Sequence, residues 1–320
     1  MAEAQAGRVK PRILVIAGPT ASGKTAAALI AARALDAEII SADARQVYKG
    51  LDIGTAKPTD EERASVPHHF LDHADITQTY TAGAFYREAS ARVMEILGRG
   101  KRVVVCGGSG LYVKVLVDGI FDGPDIPPET RRILLEDLHR LGPDLLFQEL
   151  EQRDIEASRW VPRTNLPRLL RALEVCRATG VPYSSLREER MPDVPYDSVL
   201  TGLRWDRLLL YERIDRRVEA MLAAGFLDEV RRLLDAGADP DCAALNTVGY
   251  RDALAYLRGA CSGERMIALM KQHTRNYAKR QLTWFRKEDR MRWFDAASDE
   301  DVAKAAEAMT GHFLALADER

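Results

Sequence analysis

A short glycine-rich segment near the N-terminus constrains the fold of this chain more than any other feature. Gly18-Pro-Thr-Ala-Ser-Gly-Lys-Thr25 fits the pattern G-x-x-x-x-G-K-[ST], between an apolar run at 13–17 and a stretch of helix formers at 26–35. Strand, glycine loop and helix thus occur in the order that a phosphate-binding loop requires. The alternative, an ordinary turn, requires the match and its flanks to coincide by chance.

In such a loop, the glycines let backbone N–H groups surround an anion at the N-terminus of the helix. The ammonium of Lys24 adds a point charge, and the hydroxyl of Thr25 can hold Mg²⁺. The sequence therefore predicts a phosphorylated ligand, with Mg²⁺ as cofactor and Thr25 as its ligand. The predicted phosphate-binding residues are Gly18, Pro19, Thr20, Ala21, Ser22, Gly23, Lys24 and Thr25.

Length, charge and cysteine spacing narrow the class of protein. The 320 residues suffice for about two domains. The formal charge of −2 excludes a uniformly basic surface, so affinity for nucleic acid must come from local clusters of Lys and Arg. The segment Met1 to Arg12 is polar, and the apolar run after it is too short for a signal peptide or a membrane span. We expect a cytoplasmic protein with no membrane partner, in which the scattered Cys106, Cys176, Cys242 and Cys261 are free thiols.

Strands and helices alternate in the first part of the chain, which predicts an α/β fold with a P-loop NTPase-like parallel sheet flanked by helices. A turn-rich stretch at 119–128 indicates a boundary, after which the signals are helical to about Arg190. We therefore expect a core domain formed by 1–120 and 195–320 and an inserted all-helical domain at 121–194. The predicted strands are 13–17, 37–41, 102–106 and 198–205, and the predicted helices are 24–35, 81–97, 208–224, 226–236, 249–257 and 264–287.

A second polar segment, Ser41 to Pro58, follows the strand 37–41 and contains Asp43. Loops at the carboxyl ends of parallel strands line the ligand crevice, so Asp43 is expected to face the phosphate loop. A carboxylate there can act as a general base or as a metal ligand. Alternatively, Asp43 caps a helix, since Asp is favoured at that position. The residues alone leave both interpretations open.

A third loop, Cys106-Gly-Gly-Ser-Gly-Leu-Tyr112, follows the strand 102–106. Its glycines and the Ser109 hydroxyl place hydrogen-bonding groups at the same edge of the predicted sheet, although glycine turns are common between strand and helix. The strand ends without the Asp or Glu with which common ATPases hold Mg²⁺. This makes ATP hydrolysis a poor fit.

Two segments are rich in arginine and lysine. Residues 159–177 carry five arginines beside a Leu/Val stripe, and 271–293 carry eight Lys and Arg around Tyr277, Trp284 and Phe285. Basic residues interleaved with aromatic ones suit contacts to phosphates and stacking on bases. The alternative is a solvated charged helix for each, and Trp284 and Phe285 are expected to pack in the core.

A pair of adjacent histidines, His68 and His69, follows Pro67. Neighbouring histidines cannot both point at one metal in regular structure, and no third ligand is obvious nearby. A structural or substrate-loop role is predicted rather than a zinc site.

Eight blocks along the chain together resemble one family more specifically than any single motif does. They are Gly-Pro-Thr-Ala-Ser-Gly-Lys-Thr at 18–25, Ser-Ala-Asp-Ala-Arg-Gln-Val-Tyr at 41–48, Asp-Ile-Gly-Thr-Ala-Lys-Pro at 52–58, Pro-His-His at 67–69, Gly-Gly-Ser-Gly-Leu-Tyr at 107–112, Arg-Ala-Leu-Glu-Val at 171–175, Val-Gly-Tyr-Arg at 248–251 and Lys-Arg-Gln-Leu-Thr-Trp-Phe-Arg at 279–286. In this order they resemble the bacterial tRNA dimethylallyltransferases, the IPP transferase family. The resemblance implies a P-loop core with an inserted helical domain. It also implies transfer of a dimethylallyl group from its diphosphate to N6 of adenosine 37, next to the tRNA anticodon on its 3′ side.

The resemblance also implies roles for individual residues. Asp43 would accept the amine proton, Thr20 and Ser109 would hydrogen-bond the diphosphate or the extruded base, and Arg131 would lie near the reacting centre. The implied partners are the anticodon stem-loop of tRNA and dimethylallyl diphosphate, and a monomer is expected. The residues expected to contact tRNA are Asp43, Ala44, Arg45, Gln46, Pro167, Arg168, Leu169, Leu170, Arg171, Thr247, Val248, Gly249, Tyr250, Arg251, Asp252, Lys279, Arg280, Gln281, Leu282, Thr283, Trp284, Phe285 and Arg286.

Three other functions use parts of the same pattern. A P-loop kinase would bind ATP and Mg²⁺ with the same loop. A free-adenylate isopentenyltransferase would share the loop and the prenyl donor, but would not need the basic segment 271–293 or the helical insertion. A regulatory module that binds nucleotide and RNA without catalysis would not need Asp43.

Overall fold

The computed structural model describes residues 10–120, 123–124, 126–188 and 193–318. Within them, one parallel sheet has the spatial strand order β3-β2-β4-β1-β5-β6, so the prediction of an α/β fold with a parallel sheet is confirmed. The strands are β1 (Arg12–Ala17), β2 (Ala37–Ser41), β3 (His68–His69), β4 (Arg102–Gly107), β5 (Asp197–Trp205) and β6 (Arg292–Ala296).

The helices cover most of the remaining described chain. They are α1 (Lys24–Leu35), α2 (Asp60–Ser65), α3 (Ala82–Gly98), α4 (Gly110–Asp118), α5 (Pro128–Arg153), α6 (Ile155–Trp160), α7 (Leu166–Thr179), α8 (Ser185–Glu188), α9 (Arg207–Ala223), α10 (Phe226–Asp235), α11 (Tyr250–Leu257), α12 (Gly263–Phe285) and α13 (Asp299–Asp318). The six predicted helices agree with α1, α3 and α9 to α12 to within about two residues, as frayed helix ends allow.

The central strand β1 brings three loops to one edge of the sheet. Its residues from Ile13 to Ala17 are fully buried, as expected for a parallel strand covered on both faces. Ala17 pairs with Gly107 of β4 and with Gly202 of β5, and Ser41 of β2 pairs with Cys106. Because these strands end in register, the loops after β1, β2 and β4 meet at the carboxyl edge of the sheet.

One face of the sheet is covered by α1 together with α13. Ala27 and Ala31 of α1 share a buried cluster with Ala306, Met309 and Phe313 of α13. Neither α13 nor the strand β6 before it is predicted from the sequence. The alanine-rich composition of α13 is typical of a helix. In β6 the burial is incomplete, because it is an edge strand, and its apolar signal is correspondingly weak.

The chain divides into two compact units, one formed by Met1–Asp118 with Val194–Arg320 and the other by Gly119–Asp193. The second unit begins at Gly119, two residues before the start of the predicted insertion at 121–194. It ends at Asp193, one residue before the predicted end. Its own core includes Leu134, Leu146 and Leu173 on α5 and α7. The last residues of the predicted helical stretch, at about Arg190, lie outside the described residues.

Two further predictions concern the whole chain. Cys106, Cys176, Cys242 and Cys261 are all free thiols. Among the helices that the structure describes, none combines the length and apolar character that crossing a membrane requires.

Candidate active site

The phosphate loop has the backbone that its glycines predict. Gly18 and Gly23 have positive φ angles of 148° and 89°, and Ala21 has a φ of 63°, in the left-handed region. Gly23 precedes the first residue of α1 and gives the helix no side-chain cap, so the first-turn N–H groups face the loop opening. The ammonium of Lys24 donates to the carbonyl of Pro19 at 2.7 Å. The loop is therefore arranged to accept an anion at the N-terminus of α1.

Two arginines from α9 add positive charge beside this loop. The Nε of Arg213 donates to the carbonyl of Ala21 at 3.0 Å. The Nε of Arg217 is buried and has no hydrogen-bond partner within the described chain. Burial, and to a smaller extent the Arg217 charge, lower the pKa of Lys24 to about 8, while the Asp43 charge opposes this shift. Burial also lowers the pKa of Arg217. We call residues 18–25 with Arg213 and Arg217 the phosphate-loop wall.

Asp43 lies opposite this wall and begins a turn rather than a helix. Its Oδ1 accepts from the backbone N–H of Arg45 at 2.8 Å and of Gln46 at 3.4 Å. Residues 44–47 form a turn, so the alternative that Asp43 caps a helix is wrong. For Oδ2, no hydrogen bond is found among the described residues, which leaves this oxygen available to a ligand. The Asp43 charge acts on Lys24 and Arg217, so the carboxylate lies within electrostatic reach of the phosphate-loop wall.

The Gly107–Gly110 loop contacts the backbone on both sides of Asp43. The Ser109 hydroxyl accepts from the N–H of Ala44 at 2.9 Å. A Cβ on Gly107 would lie 2.2 Å from the carbonyl oxygen of Ala42, so the close approach of the two loops requires glycine there. Tyr277 of α12 interacts with the Ser109 side chain, and burial followed by the Asp43 charge raises the pKa of Tyr277. Its hydroxyl is therefore neutral. We call Asp43, Ser109, Tyr277 and the loop 43–57 the Asp43 wall.

Gln281 joins the two walls and was expected from the sequence to contact tRNA. It is 6% exposed. Its Oε1 accepts from the N–H of Thr20 at 2.8 Å, and its Nε2 donates to the carbonyl of Gly108 at 2.9 Å. Both ends of the amide are thus used within the protein, which gives Gln281 a positioning role that sequence reasoning missed.

The loop 43–57 is held by Glu229, another residue that sequence reasoning missed. The buried Glu229 carboxylate accepts from the N–H groups of Asp52, Ile53 and Gly54 at 3.0, 2.6 and 3.2 Å. It also accepts from the hydroxyl of Tyr250 at 2.6 Å. Nothing local in the sequence around Glu229 signals this role, because the three backbone groups that it holds are more than 170 residues away.

The buried side chain of Lys57 holds the end of the same loop. The ammonium of Lys57 pairs with Asp52 at 2.5 Å and with Asp72 at 2.6 Å, and it donates to the carbonyl of Tyr48 at 2.9 Å. The block Asp-Ile-Gly-Thr-Ala-Lys-Pro at 52–58 is therefore explained by internal contacts that fix the shape of the Asp43 wall.

Both walls line one cavity of about 580 Å³. It brings together Thr20, Lys24, Thr25, Asp43 and Arg217. Gln46, Cys106, Thr247 and Tyr277 line it as well. A volume of this size is typical of sites for small-molecule ligands.

The residues present fit a magnesium ion at the phosphate loop. Thr25 lines the cavity, and its hydroxyl has no hydrogen-bond partner among the described residues, whereas the Ser22 hydroxyl is fully buried outside the cavity. Mg²⁺ is usually bound by one or two protein oxygens together with substrate phosphates and water. No group of three or more His, Cys, Asp or Glu that could hold a metal by itself occurs in the described part of the chain. The site thus fits Mg²⁺ shared with a phosphorylated ligand.

The remaining predicted site residues fall into three groups. Ala44, Arg45, Thr247, Val248, Arg251 and the largely buried Asp252 line a polar cavity of about 410 Å³, whereas Tyr250 is fully buried. Pro167–Arg171 and Arg131 belong to the unit Gly119–Asp193, in which Leu169 and Leu170 are buried and Arg131 pairs with Glu174. On α12, Phe285 is buried as predicted.

Trp284 lies at the surface, so the prediction that it packs in the core is wrong. Its side chain is 46% exposed. The ring lies over the backbone of Gly110, where a Cβ would come within 2.3 Å of the indole Cδ1. The absence of a side chain at Gly110 thus leaves room for the indole at the surface. The spacing of apolar residues along α12 does not indicate this position.

The adjacent histidines have structural partners. His68 Nδ1 lies 2.7 Å from the carbonyl oxygen of Val66, and His69 Nε2 lies 2.7 Å from Oε2 of the buried Glu38. Both histidines form the edge strand β3 and thereby fix the edge of the sheet.

The parallel sheet, the phosphate loop and the carboxylate opposite it define a P-loop α/β protein that acts on a phosphorylated ligand. Residues 46–288 match the family model described as IPP transferase. The chain is 48% identical over 286 residues to a protein from Trichlorobacter lovleyi named tRNA dimethylallyltransferase 1, covering 89% of this chain and 94% of that one. The chain therefore belongs to the IPP transferase family.

Two solved structures are similar over nearly the whole chain. The full-length tRNA isopentenylpyrophosphate transferase from Bacillus halodurans superposes with a TM-score of 0.69 at 35% identity, covering 94% of this chain and 96% of that one. A eukaryotic dimethylallyltransferase acting on tRNA gives a TM-score of 0.81 at 27% identity, covering 95% and 80%. These similarities agree with the predicted fold class.

Proposed function

We propose that this chain transfers a dimethylallyl group from dimethylallyl diphosphate to N6 of adenosine 37, next to the anticodon of tRNA on its 3′ side. The observation that carries the proposal is the shared cavity, in which a phosphate loop faces the carboxylate of Asp43. Family membership supports the same reaction, since the bacterial relative described above is named tRNA dimethylallyltransferase. A bond forms between N6 and the allylic C1, and the bond between C1 and the diphosphate oxygen breaks.

The phosphate-loop wall would bind the donor. Backbone N–H groups of the loop, Lys24 and Arg217 would offset the negative charge that develops on the diphosphate as the C–O bond breaks. When bound, Mg²⁺ would offset further negative charge on the departing diphosphate, with the hydroxyl of Thr25 as a protein oxygen. Thr20 would hydrogen-bond the diphosphate through its hydroxyl while Gln281 holds its N–H.

The Asp43 wall would bind the acceptor. An adenine amine is a weak nucleophile because its lone pair is delocalised into the ring, so loss of its proton must accompany attack. The free Oδ2 of Asp43 would accept that proton, which then passes to solvent. The hydrogen bonds to Oδ1 from the N–H groups of Arg45 and Gln46 would hold the carboxylate in position.

The tRNA would reach the site along α12, which carries Lys279 and Arg280 and is followed directly by Arg286. Since the target base normally stacks in the anticodon loop, it must be extruded into the cavity at a cost of a few kcal/mol, about the usual cost of base flipping. The contacts expected from Pro167 to Arg171 and the role of Arg131 near the reacting centre remain part of this proposal. So do a monomeric state and a cytoplasmic location.

The test is incubation of the protein with Mg²⁺, radiolabelled dimethylallyl diphosphate and both unmodified tRNA and AMP as acceptors. We expect label in tRNA alone, at the adenosine beside the anticodon. Label in AMP would instead identify a free-adenylate isopentenyltransferase. Label in neither acceptor would contradict both transferase functions.

A further inference from the structure

A second cavity, of about 660 Å³, lies beside Trp284 on the unit that contains the sheet. Its apolar lining includes Val113 and Val117 of α4, Leu200 of β5 and Phe285 of α12. The half-exposed indole of Trp284 lies at its mouth, held against the backbone of Gly110. An exposed aromatic ring in a fixed position beside an apolar cavity is suited to stacking on a flat ligand.

The rim of this cavity carries positive charge without matching negative charge. Lys279, Arg280 and Lys287 line it, and none of the three has an ion-pair partner within the described residues. The carboxylates nearby are already paired. Asp118 pairs with Lys114 and Arg290 at 2.9 and 2.7 Å, and Glu288 pairs with Arg290 at 2.6 Å. A ligand that combines a flat apolar ring with negative charge would match both the lining and the rim, and a nucleotide of single-stranded RNA has this combination.

The cavity adjoins the candidate active site through shared lining residues. It shares Asn276 and Arg280 with the polar cavity of about 410 Å³, which in turn contains Arg45, Ser109 and Tyr277 of the Asp43 wall. Along α12, Tyr277 and Trp284 are separated by about 10 Å of helix rise. A nucleotide at Trp284 would thus be close in sequence to the nucleotide at Asp43.

We propose that the cavity at Trp284 binds an unstacked base of the tRNA anticodon loop that flanks the target adenosine, with the base stacked on the indole and its phosphate at the lysine and arginine rim. This inference rests on the proposed function, because it assumes that the target adenosine lies at Asp43. It assigns to Trp284 a role in tRNA binding distinct from catalysis. The base is read by its π-face, so the contact tolerates different bases at that position.

The test measures equilibrium binding of an unmodified anticodon stem-loop RNA to the full chain without the prenyl donor. Trp284→Ala should weaken binding about tenfold or more, whereas Trp284→Phe, which keeps an aromatic ring, should stay within about threefold of wild type. Leu111→Ala is the matched control, because Leu111 is 49% exposed on the same helix as Gly110 but does not line the cavity. It should leave binding unchanged.

A second arm replaces each nucleotide that flanks the target adenosine, one at a time, by an abasic nucleotide. At one of these positions, removing the base should weaken the binding of RNA to the wild-type protein as much as Trp284→Ala weakens the binding of intact RNA. In the Trp284→Ala protein, removing the same base should not weaken binding any further. Binding of Trp284→Ala within about twofold of wild type, where a stacked base should cost more, would overturn the inference. Abasic losses that are equal in wild type and variant would overturn it too. If Trp284→Ala does not fold, Trp284→Leu takes its place, and the abasic series on wild type needs no variant.

The two proposals fail separately. If wild type transfers no label to tRNA, the proposed function is wrong, whatever the binding measurement shows. If wild type transfers label but the abasic series shows no base whose loss depends on Trp284, only the inference about this cavity is wrong.

Discussion

The two walls of the active-site cavity are built in different ways. The phosphate-loop wall is mostly one continuous segment, residues 18–25, whose shape follows from its own glycines and from the helix that it starts. The Asp43 wall is assembled from distant parts of the chain, since Ser109 supports Asp43, and Glu229 fixes the loop 43–57 from 177 residues away. A site for a common ligand group can thus be local in sequence, whereas the Asp43 wall, which we propose binds the acceptor, depends on the whole fold.

The largest expected effect concerns the Asp43 wall. Asp43→Asn keeps an oxygen to accept from the N–H of Arg45 but cannot take up a proton. The single-turnover rate should fall about 10²- to 10⁴-fold, the usual contribution of a general base, with tRNA affinity nearly unchanged. Asp36→Asn is the control, because Asp36 pairs with Lys101 at an exposed surface site. A single-turnover rate within a few-fold of wild type would show that Asp43 does not accept the proton.

The next effect concerns the phosphate-loop wall. Arg217→Gln removes a buried charge whose Nε has no protein partner, and kcat/KM for the donor should fall about 10²- to 10³-fold. Affinity for tRNA should stay within about twofold, because the change is on the other wall. Arg207→Gln on the same helix is the control, since Arg207 is exposed and does not line the cavity. Equal losses for donor and tRNA would show that the two walls are not separate binding surfaces.

Gln281 tests whether the walls depend on each other. Gln281→Ala removes the amide bound to Thr20 and Gly108, and one buried polar group left unsatisfied costs about 1–3 kcal/mol. We expect KM for the donor to rise and the single-turnover rate to fall, each by about 10- to 100-fold. Gln272→Ala, at an exposed position on the same helix, should change neither. An effect on tRNA affinity alone would instead make Gln281 a direct tRNA contact.

The smallest expected effect is a pH dependence from the phosphate-loop wall alone. Burial lowers the pKa of Lys24 to about 8, so the ammonium loses its charge as the pH rises through this value. The kcat/KM for the donor, which reports on the free enzyme, should be level below this pH and fall about tenfold for each unit above it. Lys24→Arg should abolish the decline, because arginine stays charged.

Cys106 provides the control for this profile. Burial raises the pKa of its thiol to about 11, so Cys106 is neutral where Lys24 titrates. Cys106→Ala should therefore leave the decline in place. A decline that persists in Lys24→Arg would assign it to another group.

The contrast between the walls also explains what the sequence could predict. The phosphate loop, the strands β1, β2, β4 and β5 and the placement of Asp43 at their edge follow from local patterns and from the rule for parallel sheets. The partners of Gln281 and Glu229 could not be predicted, because they depend on which distant backbone groups the fold brings close. The exposure of Trp284 depends in the same way on Gly110, which lies on a different helix.

The central claim is that one cavity holds the diphosphate on residues 18–25 and the acceptor adenine at Asp43. Its most direct test is a structure of the protein with an unmodified anticodon stem-loop and a non-reactive thiodiphosphate analogue of the donor. We predict the adenine N6 at about 3 Å from the carboxylate of Asp43, within hydrogen-bond reach, and the diphosphate on the N–H groups of the phosphate loop. An adenine bound away from Asp43, or a diphosphate bound away from residues 18–25, would contradict the claim.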